Sequence, residues 1–278
     1  MSLGVKSYKA VWDRIAAVRE HAFELVDESQ DEEALDRSGR ENAPFIVNGL
    51  SIGPSDTVLE VGCGVARLGR HVAPSAGHWI GVDVSGEMVA IARERCSALD
   101  NVTILEGPGD ALPDLEDDSI DKCYCHAVFI HMDKEDWFAY LREVRRVLRP
   151  GGLFYFDVWN LAHDLGWLRW QMERALYGSK TDRPLHRNQF SVPEELKLMV
   201  ARAGFELRHL AETFYLQAVC SVPDPEQRVG TSQREAEDAA MGVLRYTEGD
   251  DRFFASVLAK RLAEYGQEPE VQLPPSER

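Results

Sequence analysis

The stretch Val58–Gly69, VLEVGCGVARLG, constrains the fold of this chain most: an apolar run ends in an acidic residue and breaks at once into glycines. That order reads as a buried strand, a tight turn and a helix start, with Glu60 at the strand's carboxyl end. Gly62 and Gly64 remove side chains where a ligand must lie against the backbone, and the positive end of the following helix faces the same crevice. A dinucleotide fingerprint has a third glycine where this chain has Arg67, so pyrophosphate binding is disfavoured. A second apolar strand, WIGVDV, ends in Asp83 about twenty residues on, where a carboxylate accepts from both hydroxyls of a ribose. The expected ligand contains a nucleoside and is not a dinucleotide.

Three further blocks follow in order: VDVSGEM, GDALP with SIDKCYCHAVFIHM, and LREVRRVLRPGGLFYFD. All lie within Val58–Asp157, and a weaker likeness runs on through AGFELRHL to about Val222. On these blocks the chain resembles the class I S-adenosylmethionine-dependent methyltransferases, in the broad type 11-like group acting on small molecules. The resemblance implies S-adenosyl-L-methionine as cofactor and S-adenosyl-L-homocysteine as product. It also implies a Rossmann-like α/β fold with a seven-stranded, mostly parallel sheet, an antiparallel last strand and helices on both faces. The family pattern has a third small residue, usually glycine, where this chain has Ala66; a methyl group is accommodated there if the backbone is helical.

From Glu41 to about residue 223 short apolar runs alternate with helical segments, the signature of an α/β sheet. Strands are predicted at Thr57–Val61, Trp79–Val82, Val102–Glu106, Lys122–Cys125, Leu153–Phe156, Phe205–Leu210 and Phe214–Val219. So few residues separate the last two that a hairpin is required, which makes the seventh strand antiparallel. Residues 1–40 carry Trp12, Ile15, Ala16, Phe23 and Val26 at helical spacing and are expected to form an amphipathic helix that packs on the body as a cap or lid. SVPDPE marks a boundary. Residues 224–278 are expected to hold helices over Arg234–Tyr246 and Asp251–Tyr265, then a disordered, proline-rich tail.

The net charge of −16 opposes contact with phosphate backbones, so no nucleic-acid partner is expected. Leu141–Pro150 reads as an amphipathic helix with a solvated basic face. The five cysteines show no paired metal-type spacing, and Cys123 and Cys125 are expected on opposite faces of a strand, unable to chelate one ion. No signal peptide or membrane-length apolar run is visible, which fits a cytoplasmic protein with no membrane partner. Homodimer formation stays open.

For the cofactor, the resemblance points to Glu60, Gly62, Cys63 and Gly64 facing the methionine and sugar part, and to Asp83 on the ribose. Val84 and Met88 would lie against the adenine, with Gly109, Asp110 and Ala111 at its edge. Arg40 and Arg67 are candidates for the donor's carboxylate. A hydroxyl acceptor needs a base, and His126 and His131 sit near the carboxyl edge of the sheet, where open α/β folds bind their ligands. His126 also borders the cofactor positions. Asp157 ends the fifth strand and resembles an acidic position that, in some relatives, pairs with the histidine at the position of His131. Trp159, Trp167 and Trp170 suit an aromatic wall for the acceptor, with His163 and His186 as weaker candidates nearby. No metal is expected. The sequence favours methyl transfer to an oxygen of a sugar or natural-product scaffold, against N-methylation of a small amine, a non-catalytic cofactor-binding regulator, or a nicotinamide-dependent dehydrogenase.

Overall fold

The computed structural model describes residues 7–29, 31–181, 183–224 and 248–269. Three helices come first: α1 (Tyr8–Ala16), α2 (Arg19–Asp27) and α3 (Glu32–Gly49). The single N-terminal helix expected from the sequence is therefore broken, with Val18 extended at the start of α2 and Glu28 in the left-handed conformation at its end. Asp31 caps α3 by accepting the Ala34 N–H at 2.8 Å. Residues 40 and 41, between cap and body in the sequence reading, lie within α3.

The sheet contains β1 (Thr57–Val61), β2 (His78–Asp83), β3 (Val102–Glu106), β4 (Ile120–Cys125) and β5 (Leu148–Asn160), followed by the two-residue β6 (Phe190–Ser191), β7 (Glu206–Glu212) and β8 (Tyr215–Ser221). The strand order is β3-β2-β1-β4-β5-β8-β7, with β6 adding to the end of β5. All pairings are parallel except those of β8, which runs antiparallel to both neighbours. This is the expected Rossmann-like sheet, with β5 extended at both ends.

Between the strands lie α4 (Gly69–Val72), α5 (Gly86–Arg95), α6 (Lys134–Val147), α7 (Asp164–Tyr177) and α8 (Pro193–Ala203). A last helix, α9 (Glu248–Glu264), covers the segment predicted at Asp251–Tyr265 and packs on α7. The helix expected over Arg234–Tyr246 and the tail beyond residue 269 lie outside the described residues.

Two apolar layers sandwich the sheet. One buries Leu59, Cys123, Phe154 and Phe156 under α6 and α8; the other buries Val58, Trp79, Tyr124 and Tyr155 under α3, α4 and α5. Cys123 and Cys125 share a face, as the two-residue period of a strand demands, and both are buried free thiols in the first layer, so the opposite-face expectation is corrected. Among the described residues no helix is long and apolar enough to cross a membrane.

The basic run keeps Arg142 and Arg149 exposed, as expected of a solvated face, but departs from the expectation at its helix end and at Arg146. Helix α6 ends at Val147 and Leu148 already opens β5. Arg146 donates to the carbonyls of Leu112 and Leu115 at 2.8 and 2.9 Å and pairs with Asp117 and Glu143. Glu143 in turn accepts the Leu112 N–H at 2.9 Å. This guanidinium pins the loop from 112 to 117, so Arg146→Ala is expected to lower stability by about 1 to 3 kcal/mol in chemical denaturation.

The chain runs β1 to β3 outward on one side and restarts at β4 on the other, so β1 and β4 are neighbours at the point where the order reverses. Their carboxyl ends bound the crevice in which open α/β sheets take ligands.

Candidate active site

A cleft of about 1150 Å³ opens at that point, roofed by α1 and α2 and walled on the far side by α7 and α9. Pockets for one drug-sized ligand span about 300–1,000 Å³, so this one has room for two ligands side by side.

Its near end is the glycine turn. Gly62 and Gly64 adopt φ of 71° and 51°, in the left-handed region that favours glycine. A Cβ on Gly62 would collide with Val128, whereas one on Gly64 would point across the cleft towards Val26 of α2, 3.4 Å away. Ala66 is helical in the left-handed sense, with φ of 56°, which a non-glycine residue adopts only at some strain. Arg95, unnoticed in the sequence, braces this turn by donating to the Val65 carbonyl at 2.6 Å and to Glu32 at 2.8 Å.

Two carboxylates face the same space. Asp83 accepts the Gly64 N–H through Oδ2 at 2.8 Å and the Ser85 N–H through Oδ1 at 2.9 Å, so strand end and glycine turn are tied together. Burial raises the pKa of its carboxyl. Glu60 is buried and accepts from the Tyr124 hydroxyl at 2.6 Å, which itself accepts from Trp79 Nε1 at 3.0 Å. Burial pushes its pKa up to about 8, against the Tyr124 hydrogen bond and the Arg67 charge. Cys63, Val84, Met88 and Gly109 also line the cleft, and Gly109, at φ of 99°, packs on Val84. The donor class implied by the sequence is cationic and nucleoside-bearing. Two carboxylates, a turn whose second glycine omits a side chain that would lie against Val26, and the Val84 and Met88 surface fit such a group.

Other candidates lie elsewhere. Asp110 is exposed, and neither it nor Ala111 lines the cleft. Arg40 pairs with Asp36 on the outside of α3. Arg67 does line the cleft, held by Asp27 at 3.3 Å and the Ser38 hydroxyl at 3.2 Å.

Midway along the cleft stands His126, just after β4. Its Nδ1 donates to Asp157 Oδ2 at 2.5 Å. Asp157 is fully buried on β5 and also accepts from the Tyr155 hydroxyl at 2.9 Å and the Ala127 N–H at 2.7 Å. Three donors thus fix the carboxylate, the carboxylate fixes the imidazole tautomer, and Nε2 is left to the cleft. The pairing expected between Asp157 and the His131 position is corrected: the parallel register places Cys125 beside Phe156, so the next residues, His126 and Asp157, meet at the strand ends.

His131 lines the cleft too, in a different state. Its Nδ1 donates to the His186 carbonyl at 2.8 Å and its ring meets Trp12 edge-on at 5.3 Å. Burial lowers its pKa to about 4, so it is neutral near pH 7 and a weak base. Helix α1, which brings Trp12, is latched on both flanks: the Tyr8 hydroxyl donates to Asp136 at 2.8 Å and accepts the Asp133 N–H at 3.0 Å, while Asp13 accepts from Ser85 at 2.7 Å.

At the far end the wall is Trp159, Tyr215, Phe254 and Leu258, with Arg169, His186 and Asn188 set among them. Trp167 and Trp170 stack on each other at 4.8 Å outside the cleft, and His163 accepts the Leu165 N–H at the start of α7, so these three leave the list of pocket candidates.

The methyltransferase domain family matches residues 58–152. Demethylmenaquinone methyltransferase of Staphylococcus aureus (strain JH9) is 30% identical over 177 residues, covering 58% of this chain and 72% of that relative. Cyclopropane-fatty-acyl-phospholipid synthase of Escherichia coli (strain K12) is 31% identical over 140 residues, covering 49% of this chain and 33% of the relative. The chain spans about a third to a half of the length of several curated relatives. Among solved structures, magnesium protoporphyrin IX methyltransferase from Synechocystis PCC 6803 superposes with a TM-score of 0.55 at 17% identity, over 76% of this chain and 96% of that one, a likeness of fold. The glycine turn, the two carboxylates behind it and the relative covered over most of its length agree: the chain belongs to the class I S-adenosylmethionine-dependent methyltransferases.

Proposed function

We propose that this protein moves a methyl group to a hydroxyl oxygen of a small, largely apolar acceptor, with His126 as general base and Asp157 orienting it. The observation that carries the reading is the His126–Asp157 pair, buried at its carboxylate end and open to the cleft at Nε2. Glu60, the Gly62–Gly64 turn, Asp83, Val84 and Met88 would hold S-adenosylmethionine, which when bound supplies an electrophilic methyl carbon. Asp110 and Ala111 would serve at most at its rim. His126 Nε2 takes the hydroxyl proton as the acceptor oxygen attacks, and the imidazolium formed is stabilised by Asp157. An amine acceptor, nucleophilic when neutral, has less need of this arrangement. The aromatic far wall supports an apolar acceptor body, in keeping with the relative named for demethylmenaquinone.

Incubation with carbon-13 methyl-labelled S-adenosylmethionine and a panel of hydroxyl and amine acceptors, read by carbon NMR, tests this. A methoxy product is expected; label on nitrogen or carbon would replace the reading with N- or C-methylation.

Glu60 adds a pH dependence. With a pKa of about 8 its carboxyl is mostly protonated at pH 7 in the free protein. A cationic donor beside it favours the ionised form, so binding at pH 7 is expected to release a proton, and the release should fade as pH rises past about 8, where the free protein is already ionised. Calorimetry in buffers of different ionisation enthalpy measures this, and Glu60→Gln should abolish it.

A further inference from the structure

The far wall of the cleft contains a charged group with a buried N–H that has no acceptor among the described residues. Arg169, on α7, projects between Trp159 and the segment before β6, with its guanidinium 5.7 Å from the Trp159 ring centroid. It reaches Glu173 only at 3.4 Å, from Nη2 to Oε1. That same Glu173 oxygen already accepts from Asn188 Nδ2 at 2.6 Å, and Asn188 Oδ1 accepts from Trp159 Nε1 at 2.9 Å. Asn188 and Trp159 are therefore satisfied by each other and by Glu173. Arg169 is not: among the described residues its Nε–H has no acceptor, and Glu173 Oε2 and His186 Nδ1 beside it are also unpartnered.

A buried donor without an acceptor costs about 1 to 3 kcal/mol, more when charged, and such groups persist where a ligand completes them. A guanidinium is a planar fork that matches a carboxylate bidentately. Burial already disfavours the Arg169 charge, which an arriving anion would restore. The neighbouring Glu173 carboxylate, with one bare oxygen, sets a limit: a single negative charge spread over two oxygens is tolerated, whereas a dianion such as a phosphate monoester would be repelled.

We propose that the methyl acceptor carries one carboxylate, held by the Arg169 guanidinium, on an apolar body lying against Trp159, Tyr215 and Phe254. This rests on the methyl-transfer reading and names the acceptor class for the same cleft. The carboxylate anchors one end of the acceptor in the far wall, and its hydroxyl is presented to His126 midway along.

The test is calorimetric titration of the full chain saturated with S-adenosylhomocysteine. The probes are matched pairs of carboxylic acids and their primary amides on phenyl, naphthyl and dodecyl bodies, together with dodecyl phosphate. At least one acid is expected to bind about tenfold or more tightly than its amide, and more tightly than the phosphate. Arg169→Gln should erase the difference. Arg169→Lys keeps a positive charge beside Glu173 and thus the fold, and should lose most of the difference because the fork is gone. Acids and amides binding alike in the wild type, a preference for the phosphate, or an acid preference that survives Arg169→Gln would each overturn the assignment. Absence of S-adenosylhomocysteine binding in the wild type would instead overturn the methyl-transfer reading, and its retention in the variants shows that they are folded.

Discussion

Asp83→Ala is expected to weaken S-adenosylmethionine binding by about 1.5 to 3 kcal/mol, roughly tenfold to a hundredfold in dissociation constant, the worth of hydrogen bonds to a charged acceptor. Two effects add. The ribose hydroxyls lose their carboxylate, and the Gly64 and Ser85 N–H groups that Asp83 holds at 2.8 and 2.9 Å lose theirs, which slackens the turn itself. Gly64→Val should do comparable harm by another route, because a β-branched side chain at φ of 51° is strained and projects towards Val26 across the cleft. Calorimetric titration of folded variants separates these from general unfolding. Full affinity in Asp83→Ala would remove that residue from the site, and full affinity in Gly64→Val would sink the placement of the donor on the turn.

His126→Ala is expected to lower kcat by about a hundredfold or more while leaving S-adenosylhomocysteine affinity nearly unchanged, since base assistance is felt in the transition state. Asp157→Asn should share the defect: it leaves the ring but weakens the acceptor that fixes its tautomer. The double variant should be little worse than the worse single one, because the two act as a unit. His131→Ala should have the smaller effect, as its Nδ1 is committed to the His186 carbonyl and its pKa near 4 makes Nε2 a weak base. Equal losses in both single histidine variants would mean that the cleft uses His131 for chemistry as well.

The glycine turn and the carboxylates at its side were legible in sequence because their parts are local. A strand end, a glycine turn and the next strand end are each read within a few residues, and the parallel pairing of β1 with β2 brings Glu60 and Asp83 to the same sheet edge. The contacts made across strands were not, because they depend on which strands become neighbours. Asp157 meets His126 through the register of β4 with β5, and Tyr124 meets Glu60 through that of β1 with β4. Tyr155 was the one omission a local rule reaches: two residues before Asp157 on a strand, it shares that residue's face. Arg169 gave no signal at all, since an arginine inside an amphipathic helix reads as solvated until the fold sets it beside Trp159 in the cleft wall. The tryptophan-rich insertion was over-read for the opposite reason: Trp159, still on β5, faces the cleft, while Trp167 and Trp170 turn away on α7.

The central claim is that His126 accepts the acceptor's proton during methyl transfer, and the pH profile of kcat tests it most directly. With a hydroxyl acceptor, wild-type kcat should fall at acid pH, and His126→Ala should show a low rate from which that acid limb has gone. An unchanged acid limb in His126→Ala, or a near-normal rate across the profile, would contradict the account and leave positioning of donor and acceptor as the main catalytic device.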